Sequence, residues 1–196
     1  MSLYLKNSLY EDVLMVNFDS SKKVDSTEDI AIKEVTLTLI KSKDKIVALN
    51  IKKFKAIFGI FNFRNYGVFT NELFKKLSSF LKANNIEINL EQSESFSISK
   101  VIKKIVHPRN EKLFILTFEK DNKQIITNQE QVKENDILVF ANIGAFLPSG
   151  LVIEKNKIFD IESQGMLVSY KSLAIESKNT GLVFLNEDQK DKEFIF

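Results

Sequence analysis

The sequence predicts two domains of different class, a small α+β domain over residues 1–92 and an all-β domain over residues 93–196. Three observations carry this division. Residues 70–84 hold the clearest amphipathic helix, in a first half whose strand candidates include a period-two run at Val35–Leu39. The run Leu90-Glu91-Gln92-Ser93-Glu94-Ser95 is polar and aperiodic, as a boundary should be. From Phe96 onward, short strand segments recur at a spacing of about 8–12 residues with turn signals between them.

The elements follow in order. Leu3–Leu5 and Val13–Phe18 are extended candidates, and residues 19–29 (DSSKKVDSTED) read as a polar surface loop. Val35-Thr36-Leu37-Thr38-Leu39 alternates at period two, the pattern of a half-buried strand. Lys41-Ser42-Lys43-Asp44 turns the chain and Lys45–Ile51 returns, which makes a hairpin. Phe54–Phe63 is apolar and interrupted by Gly59, which favours a strand or bend over a long helix. There, Lys52, Lys53 and Lys55 interleave with Phe54, Phe58, Phe61 and Phe63. Such a mixture can stack bases, and a solvated strand edge over a phenylalanine core accounts for it more simply. In the helix, Thr70 or Asn71 serves as N-cap and Glu72 sits where the helix dipole favours negative charge. Leu73, Phe74, Leu77, Phe80 and Leu81 share one face.

In the second half, Phe96–Val106 is a long strand with a basic edge at Lys100, Lys103 and Lys104. His107-Pro108-Arg109-Asn110 turns it into Lys112–Phe118. Asp121-Asn122 leads into Lys123–Thr127, and Ile137–Ala141 is a fourth strand. The run Gly144–Gly150 is a turn before Leu151–Ile153, and Gly181–Leu185 adds a short strand near the end. About 100 residues in this pattern suit a five-stranded barrel of the OB type with a C-terminal extension.

Composition excludes several chemistries. There are no cysteines, hence no disulfides, thiolate metal sites or cysteine nucleophiles. The single histidine excludes a multi-histidine metal centre. His107 precedes a proline in a turn, with no second ligand and no carboxylate to orient it, so a turn-shaping role is expected of it and not catalysis. The six glycines are scattered and form no phosphate-cradling loop. No run of about 18 apolar residues is present, and the amino terminus lacks a signal-peptide layout. A cytoplasmic protein without membrane contact, metal or cofactor is therefore predicted. Net charge is +2, divided as +3 over residues 1–93 and −1 over residues 94–196. Composition alone thus carries no nucleic-acid footprint, and any such footprint must come from local clustering.

Several motifs of the second half occur together. They are His107-Pro108-Arg109-Asn110-Glu111-Lys112-Leu113, Gln124-Ile125-Ile126-Thr127-Asn128, Gly144-Ala145-Phe146-Leu147-Pro148-Ser149-Gly150 and Ser163-Gln164-Gly165-Met166-Leu167-Val168-Ser169. Together they resemble the tRNA-binding module near the start of the bacterial phenylalanyl-tRNA synthetase β subunit, and more closely the free-standing YtpR-type tRNA-binding proteins. Ile60-Phe61-Asn62 with Tyr66, and the ending Glu193-Phe194-Ile195-Phe196, resemble further segments of that family. Phe159-Asp160 stands where the family often has Arg-Gly, and Thr127-Asn128-Gln129 where it usually has Gly-Ala-x-Asn.

The resemblance implies a non-catalytic protein that recognises tRNA shape through one face of the barrel, in support of aminoacylation or of tRNA stability. The expected RNA-contacting residues are Lys112, Asn128, Lys155, Lys157, Ser163, Gly165, Met166 and Ser169, joined by Lys100, Lys103 and Lys104 if their strand edge turns the same way. A homodimer or a synthetase is a further expected partner. The weak net charge and the missing arginine keep a second function open, a protein-interaction or chaperone-like OB module with weak or no RNA binding. A pull-down after nuclease treatment separates the two.

Overall fold

The structure, a computed structural model, describes residues 2–6, 8–59, 63–190 and 192–196. It is mostly β and divides into two units, Met1–Ser95 with Ile195–Phe196, and Phe96–Phe194.

The first unit contains β1 (Ser2–Lys6), β2 (Val13–Asn17), β3 (Ser26–Ile32), β4 (Val35–Ser42), β5 (Lys45–Lys52), the single-turn helix α1 (Lys55–Phe58), β6 (Tyr66–Phe69) and α2 (Asn71–Ala83). Its strands form one antiparallel sheet in the order β3-β4-β5-β2-β1-β6. The alternation read from the sequence is what buries Val35, Leu37 and Leu39 on one side of β4 and Leu49 and Ile51 on β5. Leu73, Leu77 and Leu81 of α2 join the same core. Burying each such side chain stabilises by roughly 1.5–3 kcal/mol. The α2 segment has no β-branched residue, glycine or proline, so nothing in it opposes a helix. Thr70 Oγ1 accepts a hydrogen bond from the Leu73 N–H at 3.3 Å, and Glu72 pairs with Lys76 at 2.9 Å one turn on.

Two segments of this unit differ from the sequence expectation. Residues 26–32 are a strand and not part of a loop. Ser26 to Asp29 are exposed at the sheet edge, so no buried alternation marks them, and backbone pairing with β4 supplies the strand. Exposed Glu28 and Asp29 also guard that edge against pairing with another chain. After Phe54 the chain makes one helical turn, closed by the Gly59 N–H on Lys55 O at 2.8 Å, with Gly59 at φ 69. Phe54, Phe58 and Phe63 meet edge to face in the core, while Lys52, Lys53 and Lys55 are exposed. The interleaved lysines and phenylalanines thus point apart, and these described rings stack no base. Ile60-Phe61-Asn62 lies outside the described residues.

The second unit contains β7 (Phe96–His107), β8 (Asn110–Phe118), β9 (Gln124–Thr127), β10 (Ile137–Asn142), β11 (Asn156–Ile158), β12 (Ile161–Ser163), β13 (Gly165–Leu167) and β14 (Phe184–Leu185). The sheet runs β13-β10-β7-β8-β9, with β14 also on β10, and β11–β12 form a separate hairpin. β7 serves two neighbours in succession, pairing through residues 96–100 with β10 and through residues 101–107 with β8. A register shift between Val101 and Lys103 bends it at the changeover. The two ends of the sheet are linked by hydrogen bonds of the 162–164 segment to β9. Inside lie Val101, Leu116, Phe118, Ile125, Val132, Leu138, Phe140, Leu167 and Leu182. Leu151–Ile153 is not a strand. Leu147 N–H bonds Leu151 O and Ile153 N–H bonds Ala145 O, around a turn that Gly150 enters at φ 86, leaving only an isolated Phe146–Val152 bridge. Among the described residues, no helix is long and apolar enough to cross a membrane.

Candidate nucleic-acid interface

The site is built where two turns meet. One is the β7–β8 turn, His107-Pro108-Arg109-Asn110. The other is the tip of the β11–β12 hairpin, Phe159-Asp160. His107 is 2% exposed. Its Nδ1 accepts a hydrogen bond from the Arg109 N–H at 3.2 Å, which leaves the ring proton on Nε2 to be donated to Ile158 O, also at 3.2 Å. The imidazole therefore spends both nitrogens on joining the two turns. Phe159 leans on it at 5.6 Å between ring centroids, and the Arg109 guanidinium donates to Asp160 Oδ2 at 2.6 Å.

The hairpin sorts its own side chains. Asn156 pairs with Ser163, and Lys157 with Glu162. Alternation puts Lys157 and Glu162 on the face opposite Ser163. Ser163 is buried, its hydroxyl accepting from the Ile126 N–H and donating to Gly165 O, each at 3.1 Å. Lys155 pairs with Glu162 at 3.1 Å. That hydrogen bond, helped by Gln164 and by the charges of Lys155 and Lys157, holds the Glu162 carboxyl below the usual carboxylate range. Lys112 and Lys157 are exposed and, among the described residues, form no ion pair. The formal balance at this end is zero, with Arg109, Lys112, Lys155 and Lys157 set against Glu111, Glu154, Asp160 and Glu162. What the fold offers is charge sorted locally, not a broad positive field.

The remaining sequence-derived residues are placed as follows. Asn128 is exposed just past β9, beyond the Phe114–Thr127 pair, towards the start of β8, in which Lys112 is the third residue. Gly165 packs its backbone against β10 so closely that a Cβ there would stand 2.6 Å from Ala141 O. Met166 pairs with Ala141 and is half-buried. Ser169 lies on the segment bridged to Leu182, its hydroxyl accepting from the Ser172 N–H at 3.0 Å. Ser163, Gly165 and Ser169 are thus engaged in shaping the chain. Lys100 pairs with Glu187 at 3.0 Å. Lys104 donates to Glu130 O and Val132 O and lies 4.1 Å over the Phe114 ring, while Lys103 is exposed. Of the three lysines on β7, two are committed within the fold. Arg109 and Phe159 were not among the expected contacts, although the His-Pro turn and the Phe159-Asp160 departure marked both positions.

No family model matches the chain. It is 34% identical over 106 residues to the phenylalanine–tRNA ligase beta subunit of Fusobacterium nucleatum, covering 53% of this chain and 13% of that one. It is 36% identical over 94 residues to the corresponding subunit of Clostridium acetobutylicum, covering 45% of this chain and 12% of that one. A match to an uncharacterized protein of Mycoplasma genitalium is 39% identical over 72 residues, covering 36% of this chain and 32% of that one. The chain thus spans about an eighth of the length of these ligase subunits. Over about half its own length, it is similar to part of the phenylalanine–tRNA ligase beta subunit.

Proposed function

We propose that this is a non-catalytic tRNA-binding protein of the YtpR type, cytoplasmic, whose second unit is an OB-fold domain and whose partner is tRNA. The partial similarity to a tRNA ligase subunit supports the class of partner. The strand order β13-β10-β7-β8-β9, with β9 hydrogen-bonded back to the segment entering β13, supports the barrel. In an OB barrel, the loops after the first and fourth strands flank the nucleic-acid face. Those loops are here residues 108–109 and residues 143–164, and their tips are the two turns that His107 joins. The single observation that carries the proposal is that junction, which docks the hairpin carrying Lys157, with Lys155 just before it, against Arg109 in the turn that leads into Lys112. Ammonium and guanidinium groups there contact phosphates, and Asn128 donates to sugar or base edges. Both nitrogens of the one histidine being occupied supports the non-catalytic assignment.

The test is a fluorescence anisotropy titration of the whole chain with unfractionated tRNA at two salt concentrations. With two phosphates neutralised, raising salt fourfold weakens binding about tenfold. Lys155→Glu combined with Lys157→Glu weakens it at least as much and flattens the salt dependence. Binding indifferent to both manipulations sinks the proposal.

A further inference from the structure

Phe159 occupies a position that its own chemistry does not favour. It sits at the tip of the β11–β12 hairpin with φ 47, followed by Asp160 at φ 69. Two successive left-handed residues are what Asn-Gly supplies without strain, whereas a bulky aromatic residue there is an outlier. The strain is accompanied by incomplete burial, for Phe159 remains 49% exposed. Its ring is nevertheless held, tilted by 58° against His107, which is itself anchored by hydrogen bonds at both nitrogens. Cations flank it, with Lys157 two residues before and Arg109 bonded to the next residue, Asp160. A supported, half-exposed aromatic ring, with basic residues on its own hairpin and on the adjoining turn, is an arrangement on which unpaired bases stack.

We propose that Phe159 is a base-stacking contact, so that the favoured partner is RNA presenting an unpaired base and not a continuous duplex. This rests on the RNA-binding function proposed above and narrows it. The flanking Lys157, and Arg109 once exchanged from Asp160, hold the phosphates beside the stacked nucleotide, and the ring takes the base without reading its identity.

The chain has no tryptophan, so Phe159→Trp introduces a single indole at the proposed contact. Its emission is followed during titration of the full chain with a short oligoadenylate, with tRNA and with a blunt RNA duplex of matched length. Quenching by the oligoadenylate and tRNA but not by the duplex is expected. In parallel, Phe159→Leu keeps an apolar side chain against His107 but removes the aromatic face, and Phe159→Tyr keeps both. Phe159→Leu is expected to lose affinity for oligoadenylate on the order of tenfold, with unchanged melting temperature and salt slope, while Phe159→Tyr binds as the parent does. Parent-like binding by Phe159→Leu, or equal quenching by the duplex, overturns the stacking assignment and leaves the tRNA-binding function standing. If the unaltered protein fails to bind tRNA by anisotropy, that function falls. Quenching by oligoadenylate then still supports the stacking contact, and its absence overturns both.

Discussion

Two hairpins of this protein show opposite ways of being stable. The β4–β5 hairpin has eight-residue strands and a period-two pattern that buries Leu37, Leu39, Leu49 and Ile51 almost completely. The β11–β12 hairpin has three-residue strands whose only buried side chain among them is Ser163. The first is held by apolar area. The second is held by a few directed contacts, which are His107 to Ile158, Arg109 to Asp160, Ser163 to Ile126 and Gln124 to Glu162. A hairpin that does not have to bury its face is free to present lysines and a phenylalanine. Of the expected contact residues, Lys157 and Ser163 lie on the second, with Lys155 just before it.

Breaking the first hairpin has the largest effect. Leu37→Ala removes a wholly buried side chain and is expected to cost about 2–5 kcal/mol in denaturant unfolding. A cost below about 1 kcal/mol means the core readjusts around Leu37, and the contrast loses its basis. Gly165→Ala comes next. Its Cβ clashes with Ala141 O, a backbone atom, and pushing β13 off β10 is expected to cost roughly 1–3 kcal/mol by thermal melting. A neutral result shows that the strand has room to shift.

His107→Ala sharpens the comparison directly. It deletes the link between the two turns at a cost of about 1–2 kcal/mol. Faster amide exchange should be confined to residues 156–163 and the Arg109 amide, which loses its acceptor, with the unfolding of β4–β5 unchanged. Exchange that stays slow there shows the hairpin holds itself. The smallest effect is that of Asp160→Asn. Removing the carboxylate beside Arg109 takes away a like charge for phosphate, worth about 0.6 kcal/mol across roughly 7 Å of water. The tRNA dissociation constant should fall about threefold. Weaker binding instead would show that the Arg109–Asp160 pair sets up the site and does not mask it.

The same contrast explains what was legible beforehand. Val35–Leu39 and the helix around Leu73, Leu77 and Leu81 were readable because burial on one side of a regular element writes its period into the chain. β3 was not, since an exposed edge strand is selected by backbone pairing and leaves its side chains free to be polar. The basic edge at Lys100, Lys103 and Lys104 was visible as composition, yet Lys104 folds over Phe114 onto two carbonyls and Lys100 reaches Glu187. A lysine's long stem can turn either way, so its partner is decided by neighbours distant in sequence. The hydroxyl of Ser163 likewise looked available for a ligand but is occupied by Ile126 N–H and Gly165 O.

By itself, the amino-acid sequence determined the periodic elements, the glycine-dependent turns and the absence of thiol and multi-histidine chemistry, because each depends on residue type and local spacing alone. The tertiary structure decided which cations remain exposed, that His107 is a joint between turns, and that Phe159 stands half-exposed beside it. Those outcomes depend on contacts between residues 107–112 and residues 155–163. No local propensity specifies an encounter between side chains some fifty positions apart, such as His107 and Ile158.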